Sequence, residues 1–211
     1  MSNVRRVTVV LVLLFLVALP ASAAAQSRPR LFQGLYAGLD VGRQNIIGGA
    51  LVGGVDTLAQ ASRATVAVPI GARLQLPIGL VVGAEFAFGF EDGDLRLEEP
   101  GLTVDYRNGR HRRLGGTLGY VVGAARRTLI LGYVSETTRT FDVTIATATS
   151  IVAQRDEQGL LRYGLGAERH LVGRFSLRAT VGSSRADFGG RRTNITPMKP
   201  LDVSAGIYIR F

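Results

Sequence analysis

Two histidines, His111 and His170, and no cysteine set the limits of reactive chemistry in this chain. Hydrolysis through an activated hydroxyl needs a Ser beside a His that a carboxylate orients. His111 is followed by Arg112-Arg113, and the segment Arg113–Val121 contains no Ser. Without cysteine there is no disulfide framework and no thiolate metal site. No catalytic, cofactor-binding or metal-binding residue is expected. The chemically capable residues that remain are charges. Asp40, Arg73, Glu85, Glu168 and Arg178 each stand among small and polar residues that alternate with apolar ones. Such a set offers ion pairing, because a charge shut away from water must find a partner.

The elements that position these charges have period two, the spacing of a strand with two unlike faces. Leu35, Ala37, Leu39 and Val41 alternate with Tyr36, Gly38, Asp40 and Gly42. Similar alternation marks Val66–Leu76, Leu80–Glu91, Arg113–Val121, Thr128–Glu136, Leu160–Glu168, Phe175–Gly182 and Leu201–Phe211. In Thr128–Glu136 the pattern is ambiguous, and Leu129, Leu131 and Tyr133 are assigned to the apolar face. These are eight strands of the length that a tilted membrane strand needs. The apolar face is a nearly unbroken band, while the other face is rich in glycine and charge. Glycine is abundant, at 27 residues. It weakens a solvated strand, but it makes room inside a narrow eight-stranded barrel.

The first residues are an address. Arg5 and Arg6 precede the apolar run Val7–Leu19, which is short of the roughly 20 residues a spanning helix needs. Pro20 and Ala21-Ser22-Ala23-Ala24-Ala25 then supply an A-x-A-like cleavage site. Residues 1–25 are expected to be a cleaved signal peptide, 26–33 a short periplasmic segment, and 34–211 an all-β, eight-stranded antiparallel up-and-down transmembrane β-barrel.

Connections alternate in length. Short ones are expected at Pro77–Gly79, Gly123–Arg127 and Arg169–Gly173, and long loops at 43–65, 92–112, 137–159 and 184–200. If Pro77-Ile78-Gly79 closes a three-residue turn with Gly79 left-handed, Gly71 pairs Glu85. Glu99-Pro100-Gly101 reads as a tight tip, and Gly48–Gly54 as a flexible, mildly apolar one.

The alternation Val203, Ala205, Ile207, Ile209, Phe211, together with Gly71-Ala72-Arg73 and Gly83-Ala84-Glu85-Phe86 around the Pro-Gly turn, resembles the small OmpA/OmpX-type outer-membrane β-barrel family. That resemblance covers Gly34 to Phe211. It implies a bacterial outer-membrane location with both termini periplasmic. It also implies an assembly signal at Ile207, Ile209 and Phe211, read by periplasmic chaperones and the barrel assembly machinery.

Within that frame Asp40, Arg73, Glu85, Glu168 and Arg178 face inward as a lumen ion-pair network, with Arg73 diagonal to Glu85 and Arg178 diagonal to Glu168. The net charge is +9, from 25 basic and 16 acidic residues. The outer-loop arginines Arg110, Arg112, Arg113, Arg191 and Arg192 are expected to contact lipopolysaccharide phosphates. Nucleic-acid binding is not expected of an exported chain with dispersed aromatics, and the barrel is expected to be a monomer. The expected role is non-enzymatic: structural, or surface interaction through extracellular loops. The competing readings are a lipid A-modifying enzyme, which needs His111 on the outer rim, and a narrow small-solute channel.

Overall fold

The computed structural model describes residues 30–52, 55–92, 94–187 and 201–211. Nine strands run in chain order: β1 Gly34–Val52, β2 Val55–Gln75, β3 Leu80–Glu91, β4 Leu95–Glu99, β5 Leu102–Val122, β6 Thr128–Thr147, β7 Ile151–His170, β8 Phe175–Asp187 and β9 Leu201–Arg210. β3 and β4 both pair with β5, so together they form one interrupted stave. Every pairing is antiparallel. β1 pairs β9 from Tyr36↔Arg210 to Arg43↔Val203, and β3 pairs β5, which closes eight staves into a barrel. Closure satisfies every stave edge through the middle of the structure, the condition for crossing a membrane with strands.

One end of the barrel carries the start of β1, the end of β9 and the short connections. The first turn has the expected form: Gly79 is left-handed at φ 99°, its amide donates to the Leu76 carbonyl at 2.9 Å, and Gly71 pairs Glu85. Gly123 and Gly173 also take positive φ, 83° and 60°, in the other two turns.

At the opposite end the structure departs from the long loops read from the sequence. β1 and β2 continue as a hairpin to Val52↔Val55, and β6 and β7 continue to Ala146↔Ile151. Gly48, read as part of a flexible tip, pairs Ala59. β4 and β5 pair as far as Glu99↔Leu102, with Gly101 left-handed at φ 78° in the tip. The apolar face stops near Arg43, Arg112 and Glu136, which is where the sequence signal ended. Hydrogen-bonded pairing continues because a ladder in water needs no apolar outer face. A bulge between Arg107 and Arg110 re-aims β5 as it leaves the barrel. The part of the fourth expected loop from 188 to 200, with Arg191 and Arg192, lies outside the described residues, as does the expected signal peptide.

The outer face forms an apolar belt. Leu39, Ile70, Phe86, Leu118, Leu165 and Ile207 are all between 47% and 65% exposed. Thr128–Glu136 contradicts its assignment. Leu129 and Leu131 are buried and Ile130 is exposed, so Leu129, Leu131 and Tyr133 take the inner parity. The cause is a plug that the alternation could not show. Phe32, ahead of β1, enters the lumen and packs with Val81, Val121, Leu129 and Leu131. Its amide donates to Gln75 Oε1 at 3.0 Å. The inner face at the turn end is therefore apolar along β3, β5 and β6. A second apolar cluster of Leu97, Leu102, Val104, Tyr106, Phe141 and Val143 lies on the inner side of the extended hairpins.

Phe32→Ala removes the centre of the plug and should lower barrel stability by about 3 kcal/mol, the lower part of the range for a buried Phe. Urea unfolding of protein refolded into lipid vesicles measures it. An unchanged midpoint would show that the plug carries no stability.

Candidate functional site

Between the two apolar clusters the lumen is ionic. Among the described residues, five arginines (Arg73, Arg113, Arg139, Arg162 and Arg178) meet five carboxylates (Asp40, Glu85, Glu91, Glu168 and Asp202) in ion pairs that are buried or nearly so. The equal numbers matter, because an unpaired charge at such depth would cost several kcal/mol.

The layer nearer the turn end is built around Arg178. Its Nη1 lies 2.6 Å from Glu85 Oε2, and its Nε lies 2.8 Å from Glu168 Oε2. Its guanidinium stacks 3.7 Å from the centre of the Tyr208 ring. Arg73 Nη1 reaches Glu168 Oε2 at 2.8 Å and lies 4.3 Å from the Tyr36 ring centre. Arg113 Nη2 binds Glu85 Oε1 at 2.9 Å and lies 3.7 Å from Asp40 Oδ2. The phenols complete the set. Tyr36 donates to Glu85 at 2.8 Å, and Tyr208 donates to Asp40 at 2.5 Å. Glycines give these rings space: a Cβ on Gly38 would stand 2.6 Å from Tyr208 Cδ1, and one on Gly71 would strike the Tyr36 ring.

The second layer lies toward the hairpins. Arg139 Nε lies 2.6 Å from Glu91 Oε1, and its Nη2 donates to Gln44 Oε1 at 2.9 Å. Arg162 Nε pairs Asp202 Oδ2 at 3.1 Å. His111 Nδ1 lies 3.6 Å from Glu91 Oε1. Small voids remain within the lumen. One of about 30 Å³ is bounded by Asp40, Glu85, Arg113 and Arg178 among others, and one of about 20 Å³ lies near Phe32 and His170. Each has room for a water or two.

The structure thus places Asp40, Arg73, Glu85, Glu168 and Arg178 together inside. Expectations are corrected at Arg178, Arg73, Arg113, His111 and His170. Arg178 stands directly opposite Glu168 across β8 and β7, rather than diagonal to it. Arg73 pairs Glu168, and not Glu85, because β2 and β7 face each other across the lumen and a long side chain spans it. Arg113, expected among the lipopolysaccharide contacts, points inward onto Glu85 and Asp40. Arg110 and Arg112 point outward, and the Arg112 side chain is 66% exposed. His111 is inside the barrel rather than on its outer rim. His170, which falls in the expected short connection Arg169–Gly173, is the last residue of β7 and is largely buried. Ile207 and Phe211 lie on the outer face, 57% and 68% exposed. Neither ring nitrogen of His111 has a hydrogen-bond partner, and no three of His, Asp and Glu gather in a metal-binding group, among the described residues.

The sequence reading did not single out Arg139, Arg162, Asp202 or Glu91. Arg162, Asp202 and Glu91 did stand at inward positions of the alternation. Arg139 and His111 lay beyond the strand limits set by the apolar face.

A closed eight-stave barrel with an apolar belt and an ion-paired lumen is the architecture of a transmembrane β-barrel. The chain belongs to the family of the outer membrane protein beta-barrel domain, whose model matches residues 11–211. No curated protein matches the chain. Among solved structures, the Ail attachment invasion locus protein of Yersinia pestis is similar at TM-score 0.50 and 12% identity, covering 84% of this chain and 99% of that one. The N-terminal β-barrel domain of Pseudomonas aeruginosa OprF is similar at TM-score 0.50 and 10% identity, covering 85% and 98%. At such identities these likenesses concern the fold alone.

Arg178→Ala leaves Glu85 and Glu168 short of a shared cation and should cost about 3–5 kcal/mol. In double-mutant cycles read by urea unfolding, Arg73 should couple more strongly to Glu168 than to Glu85. The reverse order would contradict the cross-lumen pairing.

Proposed function

We propose that this chain is a non-enzymatic barrel of the bacterial outer membrane, with both termini periplasmic, that acts through its protruding hairpins. The observation that carries this reading is strand length. β1, β2, β5, β6 and β7 have 19 to 21 residues, whereas roughly 9–11 cross the hydrocarbon. About half of each therefore stands beyond the membrane as paired, rigid sheet. The signal-like N-terminus and the alternation ending in Phe211 support export and assembly by periplasmic chaperones and the barrel assembly machinery. The outward Arg110 and Arg112 support contact with lipopolysaccharide.

The competing roles find less support. A lipid A-modifying enzyme needs its histidine on the outer wall, whereas His111 lies behind that wall beside Glu91 and Arg139. A solute channel needs a continuous water path, whereas two ionic layers and the Phe32 plug occupy the lumen. A pre-formed sheet projecting from a stable barrel suits adhesion-like contact, because little ordering entropy is lost on binding.

Joining Asn45 to Ser62 through a two-residue Asn-Gly turn removes one protrusion while keeping the β1–β2 register. Cells displaying the wild-type barrel should attach to protein-coated surfaces severalfold better than cells displaying the shortened one. Both barrels should stay heat-modifiable on gels. Equal attachment would contradict the hairpin reading.

A further inference from the structure

We propose that the turn end of the barrel is a docking face for an acidic peptide segment of a periplasmic protein. This rests on the orientation proposed above, which turns that end toward the periplasm, and adds a partner there. The two ends differ in charge. At the hairpin end, exposed arginines have acidic neighbours: Arg96 meets Glu98 and Asp105, Arg107 meets Asp94, Arg112 meets Glu157, and Arg155 meets Asp142. At the turn end stand Arg30, Arg126, Arg127, Arg169, Arg174 and Arg210, all exposed or half-buried. Among the described residues the acidic side chain at that end is Glu168, which is buried and engaged by Arg73, Arg178 and Ser176. None of the rim arginines pairs a carboxylate side chain among the described residues.

Hydrogen bonds hold these arginines beside one another. The His170 amide donates to the Arg127 carbonyl at 2.8 Å, next to Arg169, and the Arg210 amide donates to the Arg174 carbonyl at 2.9 Å. Arg210 Nη1 donates to the Arg30 carbonyl at 3.1 Å. The charges therefore form an arc from the β5–β6 turn round to the segment before β1. Like charges so gathered repel one another and raise the local concentration of anions.

Position separates this partner from membrane lipid. Headgroups flank the outer wall of the barrel. Arg174 and Arg210 instead line the void of about 20 Å³ at the mouth, together with His170, Phe32 and Arg73. The Arg73 side chain is 3% exposed, and its Nε and Nη2 have no hydrogen-bond partner among the described residues. An acceptor arriving end-on from the periplasm reaches this mouth, whereas a headgroup anchored beside the wall does not. Aliphatic side chains stand among the charges. Leu171 and Val172 lie between Arg169 and Arg174, with Val172 74% exposed, and Ile78 in the first turn is 65% exposed. A simple polyanion would leave these untouched. A polypeptide carrying both carboxylates and aliphatic residues meets both features, and the guanidinium fork matches a carboxylate in two parallel hydrogen bonds.

Fluorescence anisotropy tests this with the full barrel in phosphatidylcholine nanodiscs. The probe is a short labelled peptide of glutamates interspersed with leucines. Wild-type barrel should bind it about tenfold more tightly than a counterpart with glutamine for glutamate, and more tightly than one with serine for leucine. Arg174→Gln with Arg210→Gln, at the mouth, should lower the affinity by about the same factor. Arg110→Gln with Arg112→Gln, at the hairpin end, should leave it unchanged. All variants should remain heat-modifiable, showing that the barrel is folded. Equal affinity for either counterpart peptide, or undiminished binding by the mouth variant, would overturn the docking face. A melting temperature raised by phosphatidylglycerol in the wild type, but not in the mouth variant, would assign the mouth to lipid and overturn it as well. Ala125→Cys, in a chain without cysteine, should react with a membrane-impermeant maleimide only after the outer membrane is opened. Labelling in intact cells would instead contradict the orientation, and the periplasmic partner with it, so the two failures are distinguishable.

Discussion

The Arg178 guanidinium lies within hydrogen-bonding distance of both Glu85 and Glu168, and it stacks on Tyr208. The rest of the lumen depends on this contact. It ties β8 to β3 and β7, and Glu168 passes the tie to Arg73 on β2. In the second layer Arg139 on β6 likewise joins Gln44 on β1 and Glu91 on β3. Apart from Arg178–Glu168, which are opposite each other on the neighbouring β8 and β7, these links run across the barrel between staves that share no ladder. They reinforce closure in a direction that backbone hydrogen bonds do not. Removing one member leaves a buried charge without its partner, a heavier loss than the net worth of the pair. The inward glycines follow from the same constraint, since rings and guanidinium groups fill the space that further side chains would need.

The membrane belt and the ionic lumen are two faces of one alternation, which is why so much of the fold was legible in the sequence. Period two located the middle of every stave, and Gly79 fixed the first hairpin register to the residue. The failures have separate causes. An apolar outer face marks strand ends short, because pairing continues past it, and His111 and Arg139 lie beyond that mark. Leu129 and Leu131 face inward because an apolar residue need not face lipid where Phe32 enters the lumen. Arg73 was matched to its neighbour Glu85 because sequence shows adjacent staves only. A side chain spanning the lumen to Glu168 leaves no trace in local spacing.

The division of the lumen bears directly on function. From the turn end, Phe32 and its apolar partners are followed by the Arg178 layer, the Arg139 layer and the cluster around Tyr106 and Phe141, whose rings meet edge to face at 5.9 Å. Between these packed layers lie voids of about 30 and 20 Å³, each with room for a water or two. A molecule so filled makes a rigid support. What is left open to contact is outside: the extended hairpins, and the wall where Arg110 and Arg112 stand above Phe86 and Phe88. Recognition on such a scaffold costs little conformational entropy, because the projecting strands are already paired.

The closed, ion-paired lumen is the centre of this account, and single-channel recording in planar lipid bilayers tests it most directly. Purified wild-type barrel, inserted and folded, should give no conductance steps above the bare membrane at neutral pH and moderate salt. A steady, resolved open-channel current from the wild-type protein would show a continuous water path through the Arg178 and Arg139 layers, and would contradict the account.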